Sequence, residues 1–284
     1  MLQKLDLNWA FNATLPPLEF VLPGLLPGSL GLIVAPGGTG KSQLALDIAV
    51  SKALGRPVAG GLFPAAPPCK VVVLAGEESD RLIAERLRPL VHVDEQSAPC
   101  LDENLIIFPM AGESCLLLEH GKPTKLYHDL KSGAQGASLV IVDPVRRMHN
   151  GDENSSGEMA DFVTAMERLA KSTGAAVVGL HHANRVSVGD TASQNAARGS
   201  SALVDGSRWQ INLSRMDEKT AERHMIAQAD RTRYLALDFA KTNYLPPRPR
   251  SWLMRGPDGQ LSSVMLPIST SKSRSASAAK TTHY

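Results

Sequence analysis

Residues 35–42 read APGGTGKS, a glycine-rich run that ends in a lysine and a hydroxyl side chain. It matches the pattern G-x-x-x-x-G-K-[S/T] except that Ala35 stands at the first glycine position, which is tolerated if its φ is negative. Glycines let such a loop turn so that several N–H groups converge on a phosphate. The lysine reaches the outer phosphates of a nucleotide, and the hydroxyl binds Mg²⁺. The residues predicted to bind Mg·ATP here are Pro36, Gly37, Gly38, Thr39, Gly40, Lys41, Ser42 and Gln43.

The surroundings of this run favour phosphate binding over a glycine-rich turn that happens to precede a lysine. A strand-like apolar segment, Leu30–Ala35, comes before it, and an apolar helical segment runs from Ser42 to about Leu54. A helix that begins near the lysine directs its positive end at the phosphates.

Carboxylates follow two other strand-like segments. Asp143 ends the segment LVIVD, and Glu77 and Glu78 follow VVVLAG. Ligands of open α/β sheets bind at the carboxyl ends of the strands. We therefore predict that Asp143 binds Mg²⁺ together with Ser42, and that Glu77 activates the attacking water. A loop-capping role for Asp143 and a helix-start role for the two glutamates are the alternatives.

The pattern of apolar segments predicts an α/β fold. From about Ser29 to His182, continuous apolar strands alternate with helical periods, which is typical of a mostly parallel, twisted sheet with helices on both faces. Residues 183–198 are polar and contain glycine, so we predict a long loop. The strand-like segments after it, at 208–213, 234–240 and 252–254, are predicted as antiparallel additions to one edge.

Length and composition predict one large domain. The chain has 284 residues, of which 43% are hydrophobic. We expect an ATPase domain at 29–267, an arm at 1–28 that packs on the core or on a neighbour, and a disordered tail at 268–284. Three cysteines without C-x-x-C spacing argue against a disulfide framework or a zinc site.

Charge and hydropathy restrict the partners. The net charge of +2 argues against wholesale coating by nucleic acid but leaves a local basic surface open. No apolar run reaches the ~20 residues that span a bilayer, and the first residues lack the apolar stretch of a signal peptide. We therefore expect a cytoplasmic protein with no membrane partner.

Six separated motifs resemble the RepA-type hexameric replicative DNA helicases of broad-host-range plasmids, within the RecA/DnaB-like P-loop ATPases. In order, they are APGGTGKS, LAGEES, LVIVDPVRRMH, LHHANR, ARGSSALVDGSRWQ and AKTNY, and the similarity runs from about Pro16 to Trp252. The resemblance implies a RecA-like core and a ring of six identical subunits. It also implies ATP between neighbours, single-stranded DNA in the central channel, and replication initiator or primase partners.

The resemblance assigns roles to individual residues. Glu77 matches the catalytic base and Asp143 the magnesium aspartate. His182 falls where relatives sense the γ-phosphate, whereas its neighbour His181 is expected to pack into the structure.

Other roles concern the neighbouring subunit and DNA. Arg208 matches the arginine that reaches the ATP of the neighbouring subunit, and Lys241 assists there; an exposed strand arginine is the alternative. Arg185 and Arg198 are candidates for contacts with DNA phosphates, and solvated loop arginines are the alternative there.

Two functions remain open at this point. One is an ATP-driven DNA helicase, and the other is a RecA/KaiC-like regulatory ATPase that does not unwind DNA. A small-molecule kinase is disfavoured, because Arg208 and the terminal strands indicate assembly. GTP use is disfavoured because no N/T-K-x-D segment is present.

Overall fold

The structure is a computed structural model, and it describes residues 4–91, 97–183, 196–197, 199 and 201–267. The predicted tail at 268–284 and most of the predicted loop at 183–198 lie outside the described residues. So do both arginines assigned to DNA from that loop, Arg185 and Arg198.

The described residues form helices and strands that alternate through most of the chain. The strands are β1 (Leu30–Ala35), β2 (Val71–Ala75), β3 (Leu105–Pro109), β4 (Leu118–Glu119), β5 (Lys122–Pro123), β6 (Leu139–Asp143), β7 (Ala176–His182), β8 (Trp209–Arg215), β9 (Tyr234–Thr242), β10 (Ser251–Arg255) and β11 (Leu261–Val264). The helices are α1 (Leu7–Asn12), α2 (Lys41–Leu54), α3 (Asp80–Leu87), α4 (Ser97–Asn104), α5 (Lys125–Gly133), α6 (Ser156–Thr173), α7 (Ser201–Gly206), α8 (Glu218–Arg223) and α9 (Gln228–Arg231), and Val145–Arg147 forms a 3₁₀ turn.

The main sheet has nine strands in the order β11-β10-β9-β8-β1-β7-β6-β2-β3. The strands from β8 to β3 in this order run parallel to one another. β9, β10 and β11 extend the β8 edge with antiparallel pairing. The predicted α/β class is therefore confirmed, with a mostly parallel sheet and antiparallel strands at one edge.

The direction of β8 corrects one sequence prediction. The segment at 208–213 was expected to be antiparallel, but β8 pairs in parallel with β1. Parallel pairing requires a crossover of a dozen or more residues, and the chain between β7 and β8 is long enough. The crossover includes α7, which approaches α6 so closely that a Cβ on Gly206 would collide with Val163.

The core consists of two apolar layers, one on each face of the sheet. All six residues of β1 are buried. Leu32 and Val34 belong to the layer that includes α6, whereas Ile33 packs in the layer that includes α2. Burial on both faces explains why the parallel strands read as continuous apolar runs. In the described part of the chain, no helix is long and apolar enough to cross a membrane.

Capping residues fix where the helices near the strand ends begin. Ser79 caps α3 by accepting a hydrogen bond from the N–H of Leu82. Ser155 caps α6 through the N–H of Glu158, and Gly174 ends that helix in the left-handed region at a φ of 76°. Since α3 begins directly after the two glutamates, Glu77 and Glu78 stay at the carboxyl end of β2.

Candidate nucleotide site

The glycine-rich loop has the backbone shape that its sequence predicts. Gly38 and Gly40 have φ values of 68° and 110°, which side-chain-bearing residues rarely adopt. Gly40 is also the N-cap of α2, so the helix begins at Lys41 and its first N–H groups face the loop. Ala35 ends β1 with the negative φ of a strand, which is why alanine is accepted at the first glycine position.

Lys41 folds back onto the loop that precedes it. Its Nζ atom donates a hydrogen bond to the Ala35 carbonyl oxygen at 3.2 Å, and the residue is only 7% exposed. Burial lowers the pKa of the ammonium, and the carboxylates of Asp143 and Glu77 act in the opposite direction. A buried cation beside the N-terminal end of α2 suits the phosphates of a nucleotide.

Ser42 and Asp143, the two predicted magnesium ligands, lie in contact with each other. Asp143 ends β6, and its carboxylate is hydrogen-bonded to the Ser42 hydroxyl. Burial raises the pKa of Asp143 to about 6; the Ser42 hydrogen bond lowers it, and the negative charge of Glu78 raises it further. Hydroxyl and carboxylate oxygens are the hard ligands that Mg²⁺ prefers, and this donor set therefore fits the ion.

The two glutamates after β2 have different environments. Glu78 is paired with Arg86, with an oxygen–nitrogen distance of 2.6 Å, and burial raises its pKa. Glu77 is exposed, yet it interacts electrostatically with Lys41 and Asp143. Of the pair, Glu77 therefore has the accessible carboxylate that a water-activating base needs.

The carboxyl ends of β2 and β6 are joined directly. The N–H of Gly76 donates to the Asp143 carbonyl at 2.6 Å. A Cβ on Gly76 would lie 3.1 Å from Cys115 Sγ and 3.2 Å from that carbonyl oxygen. This close approach brings Glu77 to the same edge as Asp143.

His182 lies beside the start of the loop. It pairs in register with Ala35 on the neighbouring strand, and the next residue, Ala183, donates its N–H to the Ala35 carbonyl at 3.1 Å. His181 is 1% exposed, and its Nδ1 lies 4.0 Å from Glu153 Oε1. Successive strand residues point to opposite faces, so the predicted packing role of His181 agrees with its burial.

Gln43 is engaged by the next helix. Its Nε2 donates to the Arg86 carbonyl at 3.3 Å, and the residue is 7% exposed. The amide therefore joins α2 to α3, and only the position of Gln43 in the first turn of α2 relates it to the phosphate loop.

Two arginines that the motifs did not indicate also contact the loop. Arg255 Nη2 donates to the Thr39 carbonyl at 2.6 Å, and Arg215 Nη2 donates to the Gly38 carbonyl at 3.2 Å. They end β10 and β8, which lie 216 and 177 residues from their partners in sequence. Only the position of each arginine at the end of a strand-like segment could have indicated this role.

Arg208 and Lys241 lie near the amino end of β1, away from the phosphate loop. The N–H of Arg208 donates to the Leu30 carbonyl at 2.8 Å, at the amino end of β1. Lys241 pairs in register with Gln210 and donates from Nζ to the Val204 carbonyl at 2.8 Å. Burial lowers the pKa of Lys241; the carboxylate of Asp205 acts in the opposite direction, and the nearby charge of Arg208 lowers the pKa further. The two cations are therefore neighbours.

The fold and the phosphate site together define a RecA-like P-loop ATPase. A family model described as an AAA domain matches residues 1–188 of the 284, and the chain belongs to this family. Among solved structures, the crystal structure of the RadB recombinase is similar with a TM-score of 0.54 and 14% sequence identity, over 84% of this chain and 92% of that chain. Likeness at this identity shows the shared fold. The matched range includes every candidate from Pro36 to His182, but neither Arg208 nor Lys241.

Proposed function

We propose that this ATPase is a DNA helicase of the plasmid replicative type, which moves along single-stranded DNA as a ring of six identical subunits. ATP binds at the phosphate loop of one subunit, and the neighbouring subunit completes the site. The observation that carries the proposal is the position of Arg208, far from the phosphate loop of its own chain.

The geometry supports action of Arg208 on another copy. Arg208 is exposed and lies level with Leu30, whereas the phosphate loop follows Ala35 at the other end of the same strand. At ~3.3 Å per residue, these ends are roughly 16 Å apart, about twice the length of an arginine side chain. An arginine placed there completes a nucleotide site only on a neighbouring molecule.

The amino-terminal arm supports assembly. Val21, Leu22 and Leu25 are buried in the core of their own chain. The residues before them include six exposed large apolar side chains, and α1 has no buried residue. Their exposed fractions are 59% for Leu5, 55% for Leu7, 52% for Trp9, 81% for Phe11, 56% for Leu15 and 59% for Leu18. A concentration of exposed apolar groups marks an interface, and we propose that the segment packs on the neighbouring subunit.

Hydrolysis uses groups from four strand ends. Lys41 neutralises charge on the outer phosphates, Glu77 takes the proton of the attacking water, and His182 reports the state of the γ-phosphate. Ser42 and Asp143 would hold the Mg²⁺, which supplies further neutralisation of the phosphate charge.

A cationic turn at the carboxyl end of β6 supports DNA binding. Arg146 and Arg147 are exposed on the 3₁₀ turn that begins two residues after Asp143. Lysines and arginines bind DNA phosphates without reading sequence, so a few such groups facing a channel suffice despite the near-neutral net charge. We propose that this turn contacts the strand inside the ring.

The experiment measures ATP turnover with and without single-stranded DNA, the subunit count by sedimentation, and unwinding of a forked duplex. A helicase shows a hexamer, stimulation by single strands, binding that weakens steeply with salt, and strand separation that requires ATP. An Arg147→Ala variant should lower the salt slope by about one, with Lys171→Ala as an exposed control. ATP turnover without single-strand affinity, even at low salt with an ATP analogue, favours the regulatory ATPase instead.

A further inference from the structure

We infer that Arg255, assisted by Arg215, is a positioning residue that holds the phosphate loop in its anion-binding conformation. The inference rests on the proposed nucleotide site and deepens it, because it assigns a role in that site to the antiparallel edge of the sheet. The two arginines act from the same chain as the loop, unlike Arg208.

The contact fixes a particular peptide plane. Arg255 Nη2 donates to the Thr39 carbonyl at 2.6 Å. The C=O of one residue and the N–H of the next share a rigid trans peptide and point in opposite directions. Holding the Thr39 carbonyl on the arginine side therefore directs the Gly40 N–H to the other side. Arg215 constrains the preceding peptide in the same way through Gly38, at 3.2 Å.

The orientation of these two peptides matters because the glycines beside them allow the peptides to rotate. Gly38 and Gly40 have positive φ and no side chain, so the peptides beside them rotate more easily than others. A rotated peptide would turn a carbonyl oxygen toward the phosphates, where an N–H is needed. A charged donor on each carbonyl opposes that rotation.

The guanidinium fits closely against the loop. A Cβ on Gly40 would lie 2.8 Å from Arg255 Nη2, and a Cβ on Gly38 would lie 3.2 Å from Arg215 Nη2. The backbone of Arg255 is fixed by reciprocal bonds with Arg233: the Arg255 N–H donates to the Arg233 carbonyl at 2.8 Å, and Arg233 Nε donates to the Arg255 carbonyl at 3.2 Å. The antiparallel strands therefore hold the Arg255 guanidinium, which is the hydrogen-bond donor, in a fixed position beside the loop.

The local charge favours a bound anion. Burial lowers the pKa of Arg255, and the positive charges of Arg215 and Arg86 add to this effect. Within the described residues, neither Arg215 nor Arg255 forms an ion pair with a carboxylate. Polyphosphate bound to the loop would relieve this repulsion, so loop geometry and nucleotide binding should strengthen each other.

A direct contact with the nucleoside is the competing role. The same arginines border an open pocket of about 700 Å³ beside the loop. Its lining residues are Arg215, Thr232, Arg233, Arg255, Gly256 and Pro257. A ligand that contains phosphates but no nucleoside separates the two roles, because a positioning residue affects both ligands equally.

The test measures dissociation constants for Mg·ADP and Mg·tripolyphosphate in the full chain and in Arg255→Ala. Loss of a charge-assisted hydrogen bond predicts weaker binding by roughly tenfold or more, and by the same factor for both ligands. Arg215→Ala, whose contact is longer, should show the same pattern with a smaller factor. Arg248→Ala, an exposed arginine that stacks on Phe239, is the matched control.

Three results would overturn the inference. They are unchanged affinity for both ligands, weaker ADP binding with unchanged tripolyphosphate binding, and a loss of turnover without a loss of affinity. If Arg255→Ala does not fold, Arg255→Lys and Arg215→Ala carry the same comparison, with Arg255→Lys expected between parent and alanine. If the parent binds neither ligand, the nucleotide site itself is wrong, which distinguishes that failure from this one.

Discussion

Lys41 and Arg208 form hydrogen bonds to opposite ends of strand β1. Lys41 donates to the Ala35 carbonyl at the carboxyl end, whereas the Arg208 N–H donates to the Leu30 carbonyl at the amino end. One chain therefore has the phosphate loop at the carboxyl ends of its parallel strands and a pair of cations, Arg208 and Lys241, near their amino ends. These cations lie too far away to contact a nucleotide in the loop of the same chain. In the proposed ring, each interface places the phosphate loop of one subunit against the cation pair of its neighbour.

Replacing Lys41 with alanine should abolish hydrolysis without unfolding the protein. The side chain is buried and donates to the Ala35 carbonyl, but that carbonyl also accepts from the Ala183 N–H and so keeps a partner in the variant. Loss of the cation should lower turnover by roughly 100-fold or more. Steady-state ATPase and thermal melting measure both effects, and Lys171→Ala is the control. Parental turnover in purified Lys41→Ala would show that the site is elsewhere.

Exchanging the two glutamates for glutamine should separate their roles. Glu77→Gln keeps the shape but loses the proton acceptor, so turnover should fall by roughly 10²–10⁴-fold with nucleotide affinity retained. Glu78→Gln weakens the pair with Arg86 and should mainly affect stability or binding. Turnover and nucleotide affinity are measured for both variants. Should Glu78→Gln lose turnover while Glu77→Gln keeps it, the catalytic base would be Glu78.

The parallel core and the backbone shape of the glycine-rich loop could be predicted from the sequence because their signals are local. Leu30–Ala35 is buried on both faces and therefore apolar throughout, and the glycines of the loop are fixed by the φ values that the turn requires. The carboxylates at the ends of β2 and β6 could be placed for the same reason, since the carboxyl ends of parallel strands share one edge.

The rest depends on contacts between distant parts of the chain. The direction of β8 depends on the crossover before it, in which α7 packs on α6. This packing produces no periodic pattern of apolar residues that would indicate the direction of the strand. Arg215 and Arg255 act on backbone carbonyls of the loop, and a carbonyl has no sequence signature. The pairing of Glu78 with Arg86, which distinguishes it from Glu77, depends on how α3 is oriented.

Asp47 should make stability depend on pH. Its carboxylate accepts hydrogen bonds from Ser51 Oγ at 3.0 Å and from the Ala59 N–H at 2.8 Å. Burial raises its pKa despite these bonds, so the folded state holds a proton that the unfolded state has released. The stability that this proton contributes is fully present below the unfolded pKa, near 4, and is lost as pH rises through the folded pKa.

Asp47→Asn removes this titration. Asparagine keeps the shape of the protonated carboxyl, because its Oδ1 can accept from the Ala59 N–H while its Nδ2 donates to Ser51 Oγ. Near pH 4 the variant should therefore lie within about 1 kcal/mol of the parent. The free energy of unfolding of the parent minus that of the variant should fall as pH rises from 4.5 to roughly 8, as measured by urea denaturation, because only the parent titrates. A difference that stays constant or grows over this range would contradict the assignment.

Removing residues 1–19 should dissociate the assembly and leave each subunit folded. The exposed apolar side chains of this segment contribute nothing to the core of their own chain, whereas Val21 and Leu22, which do, are retained. Sedimentation and thermal melting report the two effects. Removal of 269–284, which the sequence predicts to be a disordered tail, is the control and should change neither melting nor ATPase activity. A large fall in melting temperature for the first truncation would mean that the arm packs on its own chain.

Arg208→Ala should bind ATP almost normally and be close to inactive. A guanidinium supplied by a neighbour stabilises charge on the γ-phosphate oxygens during transfer, an effect worth roughly 10³–10⁵ in rate in arginine-finger systems. Lys41→Ala is inactive for a different reason, because it damages the site within its own chain. When the two variants are mixed under conditions of subunit exchange, some interfaces pair an intact Lys41 with an intact Arg208. Those interfaces should hydrolyse ATP.

Labelled subunits verify that exchange has occurred, and an Arg208→Lys variant tests whether charge alone suffices. Lysine has no planar fork of donors, so little activity should return. If Arg208→Ala by itself keeps parental turnover, the arginine has no catalytic role. If it is inactive and mixed assemblies regain nothing despite exchange, Arg208 acts within its own chain. The second outcome would also remove the main support for a ring, because the separation of Arg208 from Lys41 along β1 would then need a different explanation.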